Sequence, residues 1–215
     1  MRPLIKILVA FAVLAAVAVL FVRSVQDTRA EPYIVEQGQL QGWTVTLESA
    51  STPTAPMLLL RASPELASSL FRQVFSRMAE SLNAPAVPGV PLVLQDEFER
   101  AFAGRVTHEV LAEAARQAGL ESSALEPRCM AHKRESAPGV TRQLYMVLFE
   151  SPAFTRFREH IATLVSPDGA AVFDPAALSP VLFVGASEPA FNRWLPQRVD
   201  PERDCIAAIS IVRGQ

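Results

Sequence analysis

The sequence predicts an α+β protein: an N-terminal transmembrane helix, then a ferredoxin-like antiparallel sheet domain with helices on one face. Three observations carry that expectation. Ile7 to Val22 is an unbroken apolar run. The later chain alternates in the order strand, helix, strand, strand, helix, strand, which is the ferredoxin-like order. Apolar residues make up 50% of 215 residues and charged residues 20%, enough to build one sizeable core and too apolar for a disordered chain.

The apolar run is flanked by Arg2 and Lys6 before it and Arg23 after it. With Lys6 snorkelling outward, Leu4 to Val22 spans about 28 Å as a helix, close to a hydrocarbon core of about 30 Å. It is longer than the usual apolar core of a signal peptide and ends in Arg23 rather than a small-residue cleavage site, so residues 1–23 are expected to stay as an anchor. Secretion after cleavage is the alternative. Early positive charge favours a cytoplasmic N-terminus. The soluble part is then expected in the periplasm, held by a single pass through the inner membrane. Scarce lysine and abundant Ala, Pro and Arg suggest a GC-rich bacterial source.

Residues 24–42 read as a polar linker, with Pro32 and Gly38 as breakers. The soluble domain is expected over 43–215, with a sub-boundary at the Pro-rich stretch 84–91. Trp43–Leu47 alternates as a half-buried strand, and Met57–Leu60 is a second strand. Ser63 and Pro64 open a helix as N-cap and first residue. Its apolar pairs, from Leu66/Ala67 to Met78/Ala79, recur every four residues and end at Leu82. Such a stripe drifts about 40° per repeat around the helix.

Val90–Leu94 reads as a strand. Asp96–Ala103 and Thr107–Ala118 read as helices ended by Gly104 and Gly119. Leu125–Arg134 and Thr141–Glu150 read as paired strands around the turn Ala137-Pro138-Gly139. The second is apolar on both alternating faces, which predicts a central strand covered on each side. Ser151-Pro152 caps a helix bearing Phe154, Phe157, Ile161 and Leu164 on one face. Pro180–Ala186 is a strand, Pro189–Leu195 a short helix and Cys205–Val212 the last strand.

Net charge is −2, so no electrostatic case for a nucleic-acid partner exists. His108, His132 and His160 do not sit at metal-ligand spacing with one another, with cysteine or with acids, and no metal or cofactor is expected. Asp200, Glu202 and Asp204 cluster in a polar loop without the glycine rhythm of a calcium site. There is no G-x-S-x-G elbow and no phosphate-binding glycine loop. The strands Pro91–Leu94 and Pro180–Phe183 lack the His-x-Thr or His-x-Ser of the two-histidine phosphoesterases, and no catalytic position of that family carries over. For Cys129 and Cys205 two readings stay open: a disulfide, or two small buried hydrophobes.

Alternation along its strand puts Arg128, His132 and Arg134 on one face, with Arg142 entering the partner strand. Such a patch has the chemistry to hold a phosphate or carboxylate through bidentate, charge-assisted bonds. The competing expectation is a solvated outer face countered by Glu126 and Glu135. Two function classes follow. One is a non-catalytic, membrane-anchored binding or envelope-accessory domain with an envelope protein as partner. The other is a hydrolase acting on a phosphate- or carboxylate-bearing substrate at the Arg128/His132/Arg134/Arg142 face. A third expectation, a small-ligand site, rests on Trp43 or Trp194 as a stacking platform.

Overall fold

The computed structural model describes residues 13–23, 31–49, 52–78, 81–123, 125–137, 139–165, 173–188 and 198–214. The chain divides into two compact units, 1–31 and 32–215. In the first, residues 13–23 are helical (α1). Its apolar side chains are exposed, Leu14 by 66% and Phe21 by 69%. No helix among the described residues is long and apolar enough to cross a membrane. Residues 1–12 and 24–30, on which part of the expected anchor and linker falls, lie outside the described residues.

The second unit is α+β, as the sequence predicts. Its strands are β1 (Tyr33–Glu36), β2 (Thr44–Leu47), β3 (Pro56–Arg61), β4 (Gly89–Leu94), β5 (Glu126–Ala137), β6 (Val140–Glu150), β7 (Val181–Ala186) and β8 (Cys205–Val212). The helices are α2 (Pro64–Arg77), α3 (Gln95–Glu97) running into a π-turn at Phe98–Phe102, α4 (His108–Gln117), α5 (Pro152–Val165) and α6 (Pro201–Asp204). The strands form two sheets, one of order β1-β8-β5-β6-β7 and one of order β2-β3-β4.

The expected ferredoxin-like sheet is not the one formed. Its first strand, β4, pairs antiparallel with β3 instead of entering the sheet of β5 and β6. In the larger sheet the position beside β5 is taken by β8, and β1 adds parallel to β8. The reason is that β3 is as apolar as β4 and precedes it, so β2, β3 and β4 pair antiparallel in chain order, with α2 connecting β3 to β4. Backbone pairing is open to any strand of suitable length, and local pattern does not choose among partners.

The linker expectation is also corrected. Tyr33 and Val35 are buried at 0% and 1% exposure, so the domain begins ten residues before Trp43. A 3-10 turn, Gln37–Leu40, and a left-handed Gly42 (φ 74°) then lead into β2. The Pro-rich stretch 84–91 separates no compact units and contains the start of β4.

Several local signals act as their residue types dictate. Ser63 accepts the Leu66 N–H at 3.2 Å and Pro64 opens α2. Leu66, Ala67, Leu70 and Val74 are buried while Phe75 is 52% exposed, so the drifting stripe leaves the core by the last turn. The helix stops at Arg77, before Leu82, because Met78 is already extended. It packs on β1 and β7, the two ends of the five-stranded sheet, which therefore curls around it. Gly185 permits this approach, since a Cβ there would lie 3.3 Å from the Phe71 ring. β6 is central, between β5 and β7, with Leu144 to Phe149 all buried. The expected helix Pro189–Leu195 lies outside the described residues.

Cys129 and Cys205 form a disulfide with a Cα–Cα distance of 5.8 Å. It crosses from β5 to the start of β8, where the strands pair as Cys129 with Ala208, Met130 with Ala207 and, past a register shift, Ala131 with Cys205.

Candidate functional site

The face expected to bind an anion is laid out along the β5–β6 hairpin. Arg128 sits where the register shifts between Pro127 and Cys129, and its Nη1 is 2.9 Å from the Glu150 carboxylate. His132 lies opposite Tyr145, stacked on its ring with centroids 4.5 Å apart. The His132 Nε2 is 3.0 Å from the Gln143 carboxamide oxygen. Arg142 pairs with Glu188 at 3.3 Å and Glu135 at 3.9 Å. Arg134 is exposed. From Arg128 to Arg134 the strand advances about 20 Å at its usual rise. These side chains are distributed along the β5–β6 hairpin, with carboxylates beside Arg128 and Arg142.

The acids at 200–204 are structural. Asp200 caps α6 by accepting the Glu202 N–H at 3.1 Å. Asp204 is buried and accepts from the Asp200 N–H at 2.9 Å and from Arg203 at 3.1 Å. Lys133 Nζ is 3.2 Å from its carboxylate and also donates to the Arg198 carbonyl. Burial alone would raise the Asp204 carboxyl; the hydrogen bonds from Asp200, Arg203 and Lys133 outweigh it and hold the group below the usual carboxylate range. Among the described residues no group of His, Cys, Asp and Glu is arranged to hold a metal.

The other singled-out residues are built into the packing. His108 lies over the Phe98 ring at 4.1 Å, and its Nε2 is buried. Trp43 is 3% exposed, edge-on to Phe149, with its indole N–H donated to the Leu40 carbonyl at 2.8 Å. Little of its ring is free to stack on a ligand. Trp194 lies outside the described residues.

A groove of about 420 Å³ opens beside Trp43 and reaches Glu126 at the start of β5. Its apolar base is Leu40, Trp43 and Leu125; Gln37, Gln41, Glu121, Ser122, Ser123 and Glu126 supply polar walls, and Ile211 of β8 completes it. The lining holds two carboxylates and no lysine or arginine. The Glu121 carboxylate accepts the Val45 N–H at 2.7 Å, and Arg116 Nε stands 4.0 Å from it. The Ser123 hydroxyl oxygen is shut from solvent with no hydrogen-bond partner among the described residues.

Sequence reasoning passed over this groove because its walls come from the turn after β1, the turn after α4 and the last strand. No motif links them. The geometry thus defines an α+β domain of two sheets with an acidic groove at the β2 end. No family model, curated protein or solved structure matches the chain.

Proposed function

We propose that this chain is a membrane-tethered, non-catalytic binding domain, with residues 1–23 as its single-pass anchor and residues 32–215 on the extracytoplasmic side, engaging an envelope protein. The observation that carries the reading is α1. Val13, Leu14, Val17, Val19, Leu20, Phe21 and Val22 are each more than half exposed. Moving so many apolar side chains out of water is worth on the order of 10 kcal/mol, and a bilayer is the solvent that supplies it. The Cys129–Cys205 disulfide supports an oxidising compartment. The spacing of Arg128, His132, Arg134 and Arg142 along the hairpin, with carboxylates beside Arg128 and Arg142, favours the binding reading over the hydrolase reading.

Fractionation of cells making the full chain tests this. The protein should stay in membranes washed with alkaline carbonate and move to the soluble fraction when residues 1–23 are deleted. A reporter fused at the C-terminus should be active only outside the cytoplasm. Full-length protein in the soluble fraction would overturn the anchor, and a new N-terminus near Ala30 would establish cleavage and secretion.

A further inference from the structure

We propose that the groove beside Trp43 receives an extended, basic segment of the partner protein, which continues from the groove as a strand added along the adjoining edge of β2. The inference rests on the binding-domain reading and names the chemistry of its partner. The Glu48 N–H donates to the Met57 carbonyl at 2.9 Å, so the even residues of β2 turn their backbone groups toward β3. By strand alternation Trp43, Val45 and Leu47 turn theirs outward. Of these, the Val45 N–H is held by a side chain, Glu121, and not by a strand.

The other three sheet edges are closed differently, β4 by the buried pair Arg158 and Glu97, which hold its Leu92 carbonyl at 3.0 Å and its Leu94 N–H at 3.0 Å. On β1 the Gln73 carboxamide both donates to the Ile34 carbonyl at 2.7 Å and accepts its N–H at 2.8 Å, while Gln39 accepts the Glu36 N–H at 3.3 Å. On β7 the Asn83 backbone bonds both ways with Ala186. On β4 the charged caps are buried, whereas the Glu121 cap of β2 is 37% exposed and comes from a turn, so it is able to rotate away.

An incoming backbone carbonyl replaces Glu121 at the Val45 N–H. The released carboxylate, with Glu126 nearby, then pairs with lysine or arginine on the segment. Apolar side chains of the segment rest on Leu40 and Ile211. Strand addition of this kind takes affinity from backbone bonds and selectivity from alternate side chains. With two carboxylates in its lining and Arg116 4.0 Å from one of them, the groove carries a net negative charge that disfavours an acidic segment.

The full chain in zwitterionic lipid nanodiscs is titrated with a fluorescein-labelled peptide of alternating lysine and valine. Saturable binding with raised amide-exchange protection at β2 is expected. Glu121→Gln with Glu126→Gln, checked for unchanged thermal unfolding, should weaken binding about tenfold or more, in keeping with loss of a charge-assisted bond. An alternating glutamate–valine peptide, and the basic peptide with proline at every valine, should not bind. Equal binding of either control, no binding of the basic peptide, or full affinity in the folded double variant overturns the proposal. Carbonate fractionation of the same chain separates the two readings: membrane retention without peptide binding sinks the groove alone, and peptide binding by a soluble chain sinks the anchor alone.

Discussion

The guanidinium of Arg158 forks onto both carboxylate oxygens of Glu97, Nη2 to Oε1 at 2.7 Å and Nη1 to Oε2 at 3.2 Å. Arg158 is wholly buried and Glu97 nearly so. The same guanidinium donates to the carbonyls of Leu92, Asp174 and Pro175 at 3.0, 3.1 and 2.8 Å and lies 4.5 Å over the Phe173 ring. Glu97 Oε2 also accepts the Leu94 N–H at 3.0 Å. Every donor of the fork is used, which is the condition under which a buried ion pair is tolerated. The network ties α5, β4, α3 and the 173–175 segment together.

Arg158→Met leaves the Glu97 carboxylate buried without its partner and should cost about 3–5 kcal/mol. Adding Glu97→Leu removes the orphaned charge and should recover much of that loss. Urea unfolding of both variants checks it; a single variant as stable as the parent would mean water or another group reaches Glu97.

Reducing the Cys129–Cys205 disulfide opens a loop closed across a sequence separation of 76, worth about 4 kcal/mol by chain entropy. Because β8 pairs with β5 through three residue pairs interrupted by a register shift, and β8 is the strand partner of β1, exchange protection should fall first in β8 and β1. Hydrogen exchange of Cys129→Ala/Cys205→Ala reads this; loss spread evenly over both sheets would refute it.

Gln73→Ala strips the carboxamide from the β1 edge, removing two hydrogen bonds worth about 1 kcal/mol each. It also leaves the Ile34 backbone open to another chain, the usual hazard of an uncapped edge. Lower stability together with concentration-dependent association, followed by light scattering, is the expected result.

Asp204 sets an acid limb. Its carboxyl lies lower in the folded protein than in the unfolded chain, so the stability it contributes is complete above about pH 4, the unfolded value. That stability declines as pH falls from there and is gone below the folded pKa. Asp204→Asn should therefore lower stability at pH 7 and flatten the loss below pH 4, measured by thermal unfolding across pH. An unchanged acid limb would place the titrating group elsewhere.

His132→Ala with Arg134→Ala tests the hairpin face. Since His132 stacks on Tyr145, a loss of about 1 kcal/mol in stability is expected. A folded double variant that loses a cellular phenotype while keeping membrane retention would revive a ligand role for that face.

Some of the candidate chemistry was legible in the residues and some was not. Ser63-Pro64 marks a helix start because both residue types act locally, through a side-chain acceptor and a fixed φ. The two-sided apolar pattern of Thr141–Glu150 marks a central strand because it needs cover on each side. Tyr33 and Val35 do not announce a strand, since apolar Ile34 between them masks the alternation and a four-residue strand is too short to stand out from the polar residues on either side. In the sequence Glu97 is an acid at a helix start and Arg158 a basic residue within α5. Neither position shows its partner, 61 residues away.

The amino-acid sequence by itself determined the apolar N-terminal run, the α+β class, the β5–β6 hairpin and the central place of β6. Each follows from periodicity and turn chemistry acting over a few residues. Only the tertiary structure decided that β4 joins β3, that β1 lies parallel to β8, that Cys129 meets Cys205, and that Glu121 caps the edge of β2. Those choices depend on backbone groups that are the same in every residue and on contacts between distant segments. Local pattern states which side chains need cover, and the packed whole selects what covers them.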